Sequence, residues 1–180
     1  VEMTLEAAGV TLVRGHGHLL DTHTVEVETA EETLLLETDA ILLATGSVPA
    51  TSGFLQPDGR RILTSDDLLA IEQQPASLLV VGGGVIGCKL GQVLARYGTA
   101  VTIVEMLPHL LPQGDEDVAA ARQRQFRRDK IKVLSGIGIQ GVEVRADEVG
   151  AALTNGEELA AEALLVATGR RAYTEGLGLE

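Results

Sequence analysis

Six consecutive residues and one distant acid carry the clearest chemistry in this sequence. Residues 82–87 read GGGVIG, so Gly82, Gly84 and Gly87 satisfy G-x-G-x-x-G, with Gly83, Val85 and Ile86 between them. The run follows the apolar stretch LLVV and opens a helix-like segment, and Glu105 stands 18 residues after Gly87, at the end of the next apolar run. Gly82 would permit the tight turn, Gly84 would let the backbone approach a pyrophosphate, and Gly87 would allow close packing of helix on strand. The phosphates would then meet the positive end of the helix. Glu105 is placed to accept hydrogen bonds from ribose hydroxyls, and its charge repels a 2′-phosphate, which favours NAD(H) over NADP(H). Glycine is conformationally costly where no close backbone approach requires it. Strand, turn, helix and acid together therefore read as a dinucleotide site.

Other reactive residue types are sparse. Cys88 is the only cysteine, which excludes an internal disulfide and a cysteine-based zinc site. It reads as a small packed helix residue, since thiol redox chemistry of the disulfide type needs two sulfurs. The four histidines are scattered, and although His16 and His18 could share a strand face, no third ligand stands at metal spacing. No catalytic or metal-ligating residue is assigned.

The elements that must position the glycine turn form an alternating series. Leu78–Val81, Val101–Glu105 and Ile131–Leu134 are predicted strands, and Val85–Tyr97 and Glu116–Asp129 predicted helices. This βαβαβ order implies a parallel sheet with right-handed crossovers. The second helix opens with Asp115, Glu116 and Asp117 and closes with Arg127, Arg128 and Lys130, charges that oppose the helix dipole at each end. Short strands follow at Gly141–Arg145 and Val149–Thr154, with a hairpin-type reversal at Asn155-Gly156.

A degenerate repeat adds to this. Residues 40–46 read AILLATG and residues 163–169 read ALLVATG, each after an acidic, strand-rich stretch. The first copy follows predicted strands at Val10–Val13, Thr24–Glu28 and Thr33–Glu37, so each copy reads as an antiparallel meander feeding a buried strand. Gly46 and Gly169 end those strands, where small residues let the chain pass close to a flat ring. If the repeat holds, a βαβαβ unit of about 100 residues belongs ahead of the first meander. Residues 49–74, containing Pro49, Gly53, Pro57 and Gly59, read as a linker with a short helix at Ser65–Ile71 capped by Ser65 or Asp66.

Composition bounds the function. The chain has 180 residues, 45% of them hydrophobic, and a net charge of −12, which argues against nucleic acid as a partner. No run of about 18 apolar residues suggests a membrane span and no signal segment is seen, so a cytoplasmic location is expected.

These motifs, in this order, resemble a known family. The run VVGGGVIGCKLGQVLARYGTAVTIVEMLPHLLP, followed by VATGRRAYTEGLGLE and preceded by ATGSVP and TSDDLL, is similar to the pyridine nucleotide-disulfide oxidoreductases, or flavoprotein disulfide reductases, and within them to the dihydrolipoamide dehydrogenases. The resemblance covers nearly the whole chain and separates this group less sharply from mercuric or glutathione reductases. It implies an α/β fold in which a Rossmann-like NAD-binding domain (parallel sheet, helices and antiparallel meander) over 75–170 is joined to part of a similar FAD-binding domain over 1–48, with residues 171–180 returning to that domain.

The resemblance also implies NAD and FAD as cofactors, a homodimeric parent enzyme, and a chain that is itself an internal, monomeric piece binding FAD weakly. It places Gly82–Gly87 at the NAD pyrophosphate, Glu105 at the adenosine ribose and Ile139 near adenine. Ala167, Thr168, Gly169 and Arg170 fall at the nicotinamide end, and Thr45, Gly46 and Ser47 beside FAD. The family's CxxxxC pair, its FAD glycine motif and its His-Glu pair have no counterpart here, which keeps a non-catalytic NAD(H)-binding module open as the alternative to a dihydrolipoamide dehydrogenase-like portion. Members usually carry Glu where this sequence has Lys89, a charge reversal with two readings: it disturbs nicotinamide placement while sparing adenine binding, or Lys89 points to solvent and is harmless.

Overall fold

Alternation along the apolar strands decides which side chains face which layer, and two units result. The computed structural model describes residues 2–51 and 53–179. Val1, Ser52 and Glu180, which the domain ranges above include, lie outside the described residues. One unit spans Val1–Ser47 and Ala172–Glu180, the other Val48–Arg171.

The first unit begins with a short helix, α1 (Glu2–Ala7), and a three-stranded antiparallel sheet, β1 (His16–Leu19), β2 (Thr24–Glu28) and β3 (Thr33–Glu37), in the order β1-β2-β3. The strand expected at Val10–Val13 is not formed, and β1 takes its place further along. Local bonding explains the shift. Asp21 Oδ1 accepts the His23 N–H at 2.7 Å and Oδ2 accepts the Thr24 hydroxyl at 3.0 Å, a turn that pairs Leu19 with Val25 and His16 with Glu28. Just before the strand, a Cβ on Gly15 would stand 2.4 Å from the Glu28 carbonyl oxygen, so the chain enters the sheet where glycine permits it.

The strand expected at Ala40–Gly46 is also absent. Leu42 is 90% exposed and Leu43 45% exposed. Strands of a parallel sheet are buried because the sheet is covered on both faces, and among the described residues no strand pairs with 40–45 to place it in such a sheet. The second copy of the motif has paired neighbours and is a buried strand, as described next.

The second unit begins within β4 (Ser47–Pro49) and runs through β5 (Ile62–Leu63), α2 (Ser65–Leu69), β6 (Ser77–Val81), α3 (Val85–Arg96), β7 (Ala100–Glu105), α4 (Glu116–Arg128), β8 (Lys132–Ser135), β9 (Ile139–Val144), β10 (Val149–Leu153), β11 (Glu158–Ala161) and β12 (Ala163–Val166) into β13 (Arg170–Ala172). Five strands make the sheet β5-β12-β6-β7-β8, and each of its neighbouring pairs is parallel. The stretch expected as a linker thus contributes β5 and α2 to this unit. Its helix starts at Ser65 as expected and ends at Leu69, two residues short of Ile71, but its cap is neither Ser65 nor Asp66. Thr64 is the cap, its hydroxyl accepting the Asp67 N–H while the Asp67 carboxylate accepts the Thr64 N–H, a reciprocal capping box.

The sheet sits between two layers. Leu78 and Val80 of β6, Val101 and Ile103 of β7 and Leu165 of β12 pack with Cys88 and Phe126 of the helices. Their neighbours Leu79, Val81, Val104, Leu164 and Val166 pack on the opposite face with Val149, Ala151 and Leu153 of the antiparallel meander β11-β10-β9. Period-two alternation on buried parallel strands feeds two apolar faces at once. The α/β class with parallel sheet and antiparallel meander is the one expected from sequence.

Candidate dinucleotide-binding cleft

The carboxyl ends of three adjacent parallel strands define the site. β12, β6 and β7 end at Val166, Val81 and Glu105, and the backbone following each turns away from the sheet. Ligands of doubly wound sheets lie at this edge. A cleft of about 1080 Å³ opens there, lined by residues of the second unit.

Each glycine of the motif meets a different requirement. Gly82 has φ +108°, and a Cβ on it would stand 2.3 Å from the Ala167 carbonyl oxygen, so the turn and the approach to the β12 end both demand glycine. A Cβ on Gly87 would stand 2.0 Å from the Gly82 carbonyl oxygen, which presses α3 onto the turn. Gly84 differs: nothing lies within 4 Å of its virtual Cβ, and it borders the cleft as the N-cap of α3. Its backbone therefore faces open space at the positive end of a twelve-residue helix, with Val85 and Ile86 beside it. That is where a pyrophosphate would fit.

Glu105 is buried at 7% exposure and borders the cleft. Its Oε2 accepts the Gly83 N–H at 2.6 Å and its Oε1 accepts the Leu107 N–H at 2.8 Å. A carboxylate has about four acceptor positions, so capacity for ligand hydroxyls remains.

Of the residues singled out from sequence, the cleft brings together Gly82, Gly84, Val85, Ile86, Glu105, Ile139, Ala167, Thr168, Gly169 and Arg170. Gly83 is buried beneath the turn, Gly87 lies inside α3, and Lys89 is exposed on that helix; none of the three borders the cleft. Thr45, Gly46 and Ser47 belong to the first unit. There the Thr45 hydroxyl donates to the Tyr173 carbonyl at 2.5 Å, and the Gly46 carbonyl accepts the Tyr173 N–H at 3.1 Å.

Sequence reasoning missed the outer wall. Met106, Leu107, Leu111, Pro112, Gln113 and Gly114 line the cleft on one side, and Gly136, Ile137, Gly138 and Thr154 on another. Phe54, from the stretch expected as a linker, lines it too. Only the position of 106–114 directly after the acid could have flagged that segment. Cys88 is 1% exposed and its thiol donates to the Gly83 carbonyl at 3.2 Å. Among the described residues no cluster of three His, Cys, Asp or Glu could hold a metal, and no helix is long and apolar enough to cross a membrane.

Residues 1–180 match the family described as pyridine nucleotide-disulphide oxidoreductase. The chain belongs to this family. It is 37% identical over 188 residues to a dihydrolipoyl dehydrogenase of Trypanosoma brucei brucei, covering 100% of this chain and 39% of that protein. It is 33% identical over 172 residues to a soluble pyridine nucleotide transhydrogenase of Mycobacterium bovis, covering 94% and 37%. Among solved structures, LpdA from Mycobacterium tuberculosis aligns with a TM-score of 0.89 at 30% identity, covering 99% of this chain and 40% of that one. The HOCl-induced flavoprotein disulfide reductase RclA from Escherichia coli aligns with a TM-score of 0.78 at 25% identity, covering 98% and 40%. The chain spans about two fifths of the length of these relatives.

Proposed function

We propose that this chain is the NAD(H)-binding portion of a dihydrolipoamide dehydrogenase-like flavoenzyme, one that passes electrons between dihydrolipoamide, FAD and NAD. The observation that carries the reading is Gly84, a helix N-cap whose missing side chain leaves open cleft in front of the first N–H groups of α3. Those N–H groups have no acceptor within the helix and would bind the pyrophosphate. Glu105, already held by two backbone N–H groups, would accept the ribose hydroxyls on its remaining lone pairs and repel a 2′-phosphate. Ile139 would flank the adenine, and Ala167, Thr168, Gly169 and Arg170 would border the nicotinamide end. When bound, the nicotinamide supplies the carbon that takes or gives a hydride.

In the complete enzyme, we assign 1–48 and 171–180 to an FAD-binding domain, with Thr45, Gly46 and Ser47 beside the flavin, and 75–170 to the NAD-binding domain, with 49–74 as a connecting stretch that also supplies β5 and α2 to the second unit. The complete enzyme is read as a cytoplasmic homodimer and this chain as a monomer without disulfide chemistry of its own. The likeness to a transhydrogenase favours a second reading, in which the same cleft serves an enzyme that exchanges electrons between nicotinamide nucleotides.

Calorimetric titration of the chain with NADH and separately with NADPH separates these readings. Preference for NADH supports the first, and equal binding of both supports the second. Binding of neither removes the dinucleotide reading.

A further inference from the structure

The bonds made by Glu105 tie together two segments that border the cleft. Its carboxylate reaches the turn beneath Gly84 through the Gly83 N–H at 2.6 Å, and reaches the start of the 106–114 loop through the Leu107 N–H at 2.8 Å. Bonds of the same two segments surround this bridge. The Gly83 carbonyl accepts the Leu111 N–H at 2.8 Å as well as the Cys88 thiol. The Leu107 carbonyl accepts the Gly136 N–H at 2.9 Å, and the Glu105 carbonyl accepts the Ile137 N–H at 3.1 Å. The outer wall formed by Met106, Leu107, Leu111, Pro112, Gln113 and Gly114 is thereby fastened to the glycine turn at two points, Leu107 through the Glu105 carboxylate and Leu111 through the Gly83 carbonyl.

The chemistry of the bridge is specific to a carboxylate. Both of its oxygens face N–H donors, and bonds of 2.6 and 2.8 Å fall in the charge-assisted class. An amide at this position would set its own NH₂ against one of the two donors, and a side chain one methylene shorter could not span both.

We infer that Glu105 is a positioning residue whose carboxylate bridges the glycine turn and the 106–114 loop, shaping the outer wall of the cleft before any nucleotide arrives. This rests on the dinucleotide reading only for the identity of the ligand; the bridge is a property of the ligand-free chain. It makes the acid a builder of the cleft in addition to a partner for ribose.

The test is hydrogen exchange on the ligand-free 180-residue chain, comparing wild type with Glu105→Gln and Glu105→Asp. Exchange at Gly83, Leu107 and across 106–114 is expected to rise by about tenfold or more, the scale of one charge-assisted hydrogen bond, while Val80, Ile103 and Leu165 in the sheet keep wild-type protection. Unchanged exchange in 106–114, or a loss spread evenly over the sheet, overturns the inference. Should neither variant fold, NMR coupling across the Gly83 and Leu107 N–H bonds to the Glu105 carboxylate in wild type decides it: detection supports the bridge and absence overturns it. Failure of NADH to bind would remove the functional reading and leave these outcomes untouched.

Discussion

The carbonyl oxygen of Gly82 and the α-carbon of Gly87 are so close that a Cβ on residue 87 would stand 2.0 Å from that oxygen. The obstacle is backbone, so a side chain there cannot be accommodated by a rotamer change. Gly87→Ala is expected to destabilise the chain by about 3 kcal/mol or more, the upper end for overpacking. Urea denaturation measures it; a change near zero would mean that α3 can lift off the turn freely.

Gly84 gives the opposite outcome at the same motif. Its virtual Cβ meets nothing within 4 Å, and its φ of −71° suits any residue. Gly84→Ala is expected to leave stability within about 0.5 kcal/mol while weakening NADH binding by about tenfold or more, since the added methyl occupies the space meant for phosphate. Equal NADH affinity in this variant and wild type would move the pyrophosphate elsewhere.

The contrast between the two copies of the ATG motif shows what sequence could and could not convey. Leu164 to Val166 lie between two paired strands and are buried, whereas Leu42 and Leu43, in nearly the same local sequence, are exposed. Apolar pattern announces the capacity for a buried strand, but neighbours decide it. The βαβαβ order and the placement of Glu105 at a strand end were legible because short continuous apolar runs and helical apolar patterns alternate there without interruption. The cap at Thr64 was obscured because four polar residues stand in a row, Thr64 to Asp67, each of a type that caps helices. The outer wall of the cleft, including Phe54 and Leu111, carries no local pattern, and long-range contacts alone bring it to the site. The grip of Glu105 on Gly83 and Leu107 depends on the path of the backbone, which composition does not reveal.

Burial pushes the Cys88 thiol up to about 11 from its ordinary 9.0, with Arg122 opposing the shift and Glu105 adding to it. The folded chain therefore holds this proton more tightly than the unfolded chain. The stabilisation is fully present below about pH 9 and is lost as pH rises through about 11, and two pKa units at about 1.4 kcal/mol each put it near 3 kcal/mol. Urea denaturation at pH 8 and pH 11 should show a loss of that order in wild type beyond the loss in Cys88→Ala. Identical pH slopes in the two proteins would show that the thiol titrates normally.

Lys89 is exposed on α3 and does not border the cleft. A screened surface charge outside the cleft has little influence on a bound nucleotide. Lys89→Glu is expected to change NADH affinity by less than about twofold by calorimetry. A gain of tenfold would place the ammonium against the ligand and restore the expectation that it disturbs the nicotinamide end.

Where NADH sits on the chain is the most direct question. Amide chemical-shift mapping of the labelled chain during NADH titration is expected to show the largest changes at Gly84, Val85, Ile86, Met106 and Ile139, with Asp21, His23 and Asp39 of the first unit unmoved. Shifts that leave the 82–87 turn and the end of β7 unaffected, at nucleotide concentrations that saturate binding, would contradict a dinucleotide site built on Gly84 and Glu105.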